Sequence, residues 1–373
     1  MAFLDSTLDI NLVTPLNQLG YGIAGLNIMD SLTKAGHTVS LSLLGQSQVP
    51  HRYADSFKTS ADNGKSPNFD APCIRIWHQH DMTMFVGNGT KIGFPIFELD
   101  RFTDLEIHHL AHPDKLFVCS QWAKDVVVRE LETKTGKENV SKDVHIIPLG
   151  VDRDIFKENI SPKKETVFFN CGKWEKRKGH DLIHEAFSRA FTEDDDVELW
   201  MMCENPFLSQ DDNFSWERTY RGSKLGDKVR IVPRQPTQEE VYQVMTQVDC
   251  GVFPARAEGW NLELLEMMSC GKHVIATDYS AHTEFCNSKN SRLIKVEENE
   301  LAEDGVWFFG QGEWAKLEDK HIDEIAKHMK EIHELKQKDN LRINQEGIET
   351  AKKFSWSNSA AKIVEALQDD THT

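Results

Sequence analysis

Two short stretches carry most of the chemistry open to this 373-residue chain. The first is GKWEKRKGHD, residues 172–181, which sets Lys173, Lys176, Arg177 and Lys178 within six residues, just after an apolar run ending at Asn170. Cationic side chains beside the open N–H groups of a starting helix make an anion site of the kind that holds phosphate. The second is EGWNLELLEMMSCG, residues 258–271, with Glu258 before a helical pattern and Glu266 eight residues on, within it. Asn261 is suited to cap that helix through its side-chain oxygen. The amides near Trp260 to Leu262 would then face a ligand.

Other candidates lie earlier in the chain. Gly20, Gly22 and Gly25, in GYGIAG, follow a strand pattern and open a helix, as a phosphate-cradling turn does. The next strand pattern, however, is followed by Gly45 and Gln46 where an acidic residue should hold a ribose, so a nicotinamide cofactor is not expected. His78 and His80, in IWHQHD, would need at least a third ligand to hold a metal, and the sequence offers none. The acidic runs at 194–196 and 211–212 read as solvated turns. No metal is therefore expected.

The elements that must position these residues alternate. Short apolar runs (10–15, 38–44, 74–77, 91–97, 115–119, 145–148) interleave with helical patterns at 23–35 and 121–131. A charged, proline-bearing linker, KENISPKKET at 157–166, separates this series from a second one. There the strands are expected at 167–170, 197–202, 229–232, 251–253 and 273–276, and the helices at 180–191, 239–248 and 262–269. The rhythm is that of parallel β/α units. It predicts an α/β protein of two facing Rossmann-like domains with a ligand cleft between them. The expected boundaries are 1–155, 156–355, and a helix over 356–373 packing back toward the first domain. Ile322, Ile325, Met329 and Ile332 mark another helix. The polar stretch at 53–70 reads as a mobile loop.

The formal net charge of −17 weighs against nucleic acid as a partner. No apolar run approaches the length of a membrane span, and the N-terminus lacks the basic start and apolar stretch of a signal peptide. Seven scattered cysteines without a CxxC pair fit reduced thiols in a cytoplasmic protein.

Taken in order, GYG, IIPLGVDRDIF, CGKWEKRKGHDLIHEAF, EGWNLELLEMMSCGKHVIATD and a closing FSW resemble the retaining glycosyltransferases of family 4, which have the GT-B fold. The likeness is densest from 145 to 286. Glu258 and Glu266 match that family's E-x7-E pattern. It implies a hexosyltransferase-type enzyme that moves sugar from a UDP- or GDP-linked donor to an acceptor the sequence does not identify. It also implies that no metal or other cofactor is required, because lysines neutralise the diphosphate. Lys173 and Lys178, with Gly172, would hold the diphosphate. Gly22 would lie against the diphosphate or the acceptor. Glu258 would contact the donor sugar and Glu266 the ribose, with Gly259, Trp260, Asn261 and Leu262 facing the donor.

Two departures stand out. The family often reads EGFG where this chain has Glu258-Gly-Trp-Asn261, so bulk is expected beside the sugar. The family's N-terminal-domain histidine has no counterpart in KIGFPIFELDR, which leaves Glu98, or His78 and His80, as candidates near the reaction centre. Other readings are a sugar-nucleotide-binding protein without transfer activity, a sugar-nucleotide epimerase, and a glycosyltransferase acting on modified DNA.

Overall fold

The structure, a computed structural model, describes residues 7–368. Contacts divide the chain into two compact units, residues 1–150 with 354 onward, and residues 151–353. The junctions between these units fall at Gly150 and Phe354.

The first unit is built on six parallel strands: β1 (Asp9–Thr14), β2 (Thr38–Leu43), β3 (Cys73–Ile76), β4 (Lys91–Phe94), β5 (Lys115–Val118) and β6 (Val144–Ile146). Their order is β2-β1-β3-β4-β5-β6. The crossovers are α1 (Gly20–Lys34), α2 (Ala54–Asn63), α3 (Asp104–Leu110) and α4 (Gln121–Thr135). Strands such as CIRI and KLFV are buried along their whole length, as a parallel sheet covered on both faces requires. Helix α1 starts at Gly20, so the glycine-rich segment is the first turn of the helix and not a loop before it. A Cβ at Gly22 would collide with Asn17, and one at Gly25 with Thr14 and Pro15.

The polar stretch expected as a loop contains α2, whose Ser56 and Ser60 are buried. Ser56 Oγ donates to Asp30 at 2.7 Å, and Ser60 Oγ lies 3.2 Å from Thr33 Oγ1. Short polar side chains here face a partner helix, a contact that hydrophobic periodicity does not reveal.

The second unit holds β7 (Thr166–Cys171), β8 (Val197–Met202), β9 (Val229–Ile231), β10 (Cys250–Phe253), β11 (His273–Thr277) and β12 (Arg292–Ile294). These strands are parallel in the order β12-β11-β10-β7-β8-β9. They are joined by α5 (His180–Ala190), α6 (Gln210–Arg221), α7 (Gln238–Met245) and α8 (Leu262–Ser269). An antiparallel hairpin, β13 (Asn299–Glu303) and β14 (Phe309–Ala315), precedes α9 (Asp319–Gln337) and α10 (Gln345–Lys353). Phe168, Phe187, Ile183, Val252, Ile325 and Met329 belong to its core, where α9 covers the sheet beside α5. The hairpin was not expected from sequence, because its strands mix Glu, Gly and Gln with apolar residues. The acidic pair Asp211-Asp212 lies in the first turn of α6, capped by Ser209, rather than in a turn.

The last helix, α11 (Trp356–Gln368), returns to the first unit. Ser359 Oγ donates to the Pro148 carbonyl at 2.6 Å, and Lys115 Nζ donates to the Ala366 carbonyl at 3.1 Å. Residues 1–6, part of the N-terminal stretch read as lacking a signal peptide, and the end of the expected final helix (369–373) lie outside the described residues. All seven cysteines are buried and none forms a disulfide. Among the described residues, no helix is long and apolar enough to cross a membrane.

Candidate functional site

In the second sheet the chain runs β7-β8-β9 in one direction from β7 and β10-β11-β12 in the other. The loops after β7 and β10 therefore leave neighbouring strands at the point where strand order reverses, where open α/β sheets bind ligands. They carry the basic loop and Glu258.

The four cations do not form an open patch. Arg177 Nη1 donates to Glu258 Oε2 at 2.9 Å, and Lys178 Nζ to Glu258 Oε1 at 2.8 Å. Arg177 also donates to Glu175 Oε2 through Nε (3.1 Å) and Nη2 (2.8 Å). Lys173 Nζ lies 3.2 Å from Glu175 Oε1. Arg177, Lys178, Glu175 and Glu258 are all under 9% exposed, whereas the Lys173 side chain is 36% exposed. Lys176 turns away and donates to the Glu303 carbonyl. The burial of an acid alone would favour its neutral form, yet Arg177 and Lys178 hold the Glu258 carboxyl far below its ordinary range. Burial would likewise favour a neutral Lys178, but Glu258 outweighs it and keeps the ammonium well above its usual value. The site is thus a buried, fully charged network. The missed participants are Arg177's role and Glu175; an acid set inside a basic run was the visible signal.

Two neutral histidines fix the loops. Burial pushes His180 down to about 3 and His282 to about 4. His180 Nδ1 accepts from Glu175 N–H (3.1 Å), so its Nε2–H donates to Asn170 Oδ1 (2.9 Å). Asn170 Nδ2 donates to the Val252 carbonyl, which locks β7 to β10. His282 Nδ1 donates to the Thr277 carbonyl (3.1 Å), which leaves Nε2 to accept from Asn261 Nδ2 (2.9 Å). Asn261 Oδ1 then accepts from Leu264 N–H (3.1 Å), so Asn261 caps α8. Asn261 adopts φ +84°, a left-handed conformation that glycine occupies readily. Gly179 also has positive φ (+74°), and a Cβ there would strike the Pro254 carbonyl.

The bulk expected beside the sugar is turned inward. Trp260 is 2% exposed and packs 4.9 Å from Phe285. The side chain of Asn261 is taken up by the cap and His282. Gly259 and Leu262 flank them, and Gly172 lies so close to Lys178 that a Cβ would approach its Cδ to 3.0 Å. Glu266 is buried in α8 with Gln238 Nε2 donating to it at 3.2 Å. Burial, then neighbouring Glu263, raises its carboxyl well above the ordinary value.

In the first unit the strand order reverses at β1 and β3. Here Tyr21, beside Gly22, meets His78 at 4.7 Å and Trp77 at 5.5 Å between ring centres, and His78 stacks on His80. Tyr21 Oη donates to the Ile96 carbonyl at 2.6 Å. Burial, then the charge of Glu98, raises the Tyr21 phenol well above its usual value. Gly22, His80 and Glu98 thus gather at one end of this sheet. Among the described residues, no group of three or more His, Cys, Asp or Glu could hold a metal ion.

Residues 151–328 match the family model described as glycosyl transferases group 1. No curated protein matches by sequence. Among solved structures, HepE of Anabaena in complex with UDP is similar at 13% identity, covering 97% of this chain and 100% of its own, with a TM-score of 0.70. HepE has also been solved with UDP-glucose. Sucrose-phosphate synthase of Thermosynechococcus elongatus is similar at 14% identity, covering 98% and 99%, with a TM-score of 0.68. A glycosyltransferase of Rickettsia africae is similar at 13% identity, covering 97% and 98%, with a TM-score of 0.68. With its two parallel six-stranded sheets, the chain has the fold of the GT-B glycosyltransferases.

Proposed function

We propose that this protein is a retaining glycosyltransferase of family 4 that moves a hexosyl unit from a UDP- or GDP-linked donor to an acceptor, in the cytoplasm and without a metal. The observation that carries the reading is the buried Glu258 carboxylate, held by Arg177 and Lys178 where strand order reverses. The group 1 match over the same unit and the likeness to a UDP-glucose-bound structure support it.

Glycosyl transfer builds negative charge on the leaving phosphate and positive charge on the sugar ring. Lys173 and Lys178, with the amides at the start of α8, would stabilise the first. Glu258 would orient the sugar and stabilise oxocarbenium character, as carboxylates do in glycoside cleavage. Glu266, whose carboxyl burial raises above its ordinary value, would meet the ribose hydroxyls from inside α8. In the first unit His80 or Glu98 would serve the acceptor side, with Gly22 against the diphosphate.

The test is transfer and hydrolysis across a panel of sugar nucleotides, with thermal shift as the binding readout. Lys178→Ala is expected to weaken donor binding, and Glu258→Gln to lower kcat about a hundredfold or more with the fold intact. Turnover is expected to persist in EDTA. Absence of both shift and turnover with every donor would refute the reading. Binding without any product would favour a sugar-nucleotide-binding protein instead.

A further inference from the structure

We infer that the second unit carries a saccharide-binding cavity beside the Glu258 network, sharing Glu175 with it. The cavity, about 310 Å3, is bounded by the loop after β7 at Trp174–Lys176, by α6, and by the turn of the β13–β14 hairpin. Three features make it a site rather than a gap between elements.

First, its walls are braced. Trp216 on α6 stacks on buried Trp174 with ring centres 5.7 Å apart and planes 4° from parallel. The hairpin is tied down by Lys176 Nζ donating to the Glu303 carbonyl (3.0 Å) and by Ala315 N–H donating to the Arg256 carbonyl (2.9 Å). Asp304 Oδ1 accepts from the N–H groups of Val306, Trp307 and Phe308, which fixes the turn. Second, the fixed turn leaves apolar surface uncovered: Val306 is 50% exposed and Trp307 is 42% exposed. Third, the polar lining is acidic. Asp212 and Asp304 outnumber Lys176, whose ammonium already has the Glu303 carbonyl, while Glu175 is neutralised by Arg177.

That charge balance rejects phosphates, nucleotides and other anions. Indole faces bind the C–H face of a pyranose, and carboxylate and hydroxyl groups, here Asp212, Ser215 and Thr219, bind its hydroxyl-rich edge. The occupant that fits is an uncharged sugar of one or two rings. Naming it as part of the acceptor or product glycan rests on the transferase reading; the binding itself does not.

The experiment titrates the full-length protein with maltose, lactose and chitobiose, read by tryptophan fluorescence and by calorimetry. Thermal shifts and turnover with the whole UDP- and GDP-sugar panel are measured in parallel. At least one saccharide is expected to bind the wild type, and Trp307→Ala and Ser215→Phe each to weaken it by about tenfold or more. Both positions are exposed, so both variants are expected to keep the wild-type circular dichroism and any nucleotide shift. No binding by any of the three sugars, or equal binding by both variants, overturns the cavity. A nucleotide shift with no saccharide binding removes the cavity and leaves the transferase reading standing. Saccharide binding lost in Trp307→Ala, with no nucleotide shift or turnover, keeps the cavity and removes that reading.

Discussion

Arg177 is the residue on which the charge state of the candidate site turns. Removing it would leave Glu258 buried with Lys178 as its sole cationic hydrogen-bond partner in the network. Breaking a buried pair from one side costs roughly 3–5 kcal/mol, so Arg177→Met is expected to lower the melting temperature measurably. The pH dependence follows from the depressed Glu258 carboxyl. Its charge contributes stability at pH values above the unfolded carboxyl value, and this is lost only as pH falls through the lower folded one. In Arg177→Met the folded value rises, and the acid limb of a kcat/KM profile is expected to move up by roughly one pH unit or more. An unmoved limb would mean that Lys178 alone sets the ionisation. Much of this site could be read from residue types: Lys173, Lys178, Glu258 and the Asn261 cap all stand in two short motifs. The internal neutralisation could not, because hydrogen bonds between Arg177 and Glu258, 81 positions apart, leave no periodicity to detect.

At the scale of elements, α8 shows how a helix start is held in place. Asn261 both caps α8 and occupies a left-handed backbone conformation. Asn261→Gly would relieve the backbone while losing the cap, a cost of a few tenths of a kcal/mol, whereas Asn261→Ala would lose both, about 2 kcal/mol. Urea denaturation of the two variants should separate them in that order. The turn into β11, just after α8, contains the opposite kind of residue. Lys272 is 3% exposed, and among the described residues its ammonium meets no hydrogen-bond partner. Lys336 pairs with nearby Asp249 instead. Burial pushes Lys272 down to about 8. Its charge therefore costs roughly 3 kcal/mol at neutral pH. This cost is fully present below about pH 8 and disappears as pH rises toward the unfolded lysine value. Lys272→Met is expected to stabilise the protein at pH 7, with the gain shrinking by pH 10. The apolar strands of both sheets were legible because parallel sheets bury whole runs, except β12, which is short and only partly buried. Helix α2 and the β13–β14 hairpin were not, because their contacts are made by serines, backbone groups and a few exposed aromatics.

For the whole molecule, the two units make different demands on the chain. Each has its own sheet and core, so calorimetry is expected to resolve two transitions, with a bound sugar nucleotide moving the one that belongs to residues 151–353. A single transition shifted as one would contradict this. The connection of α11 has a further consequence, for synthesis. Although residues 1–150 of the first unit precede the second unit in the chain, the first unit also includes α11, whose Ser359 and Ala366 bond Pro148 and Lys115. The second unit is continuous and can close as soon as Lys353 has emerged. The unit begun earlier is thus completed later, and until α11 emerges the surface it will cover is left for chaperones, or for another nascent chain, to find.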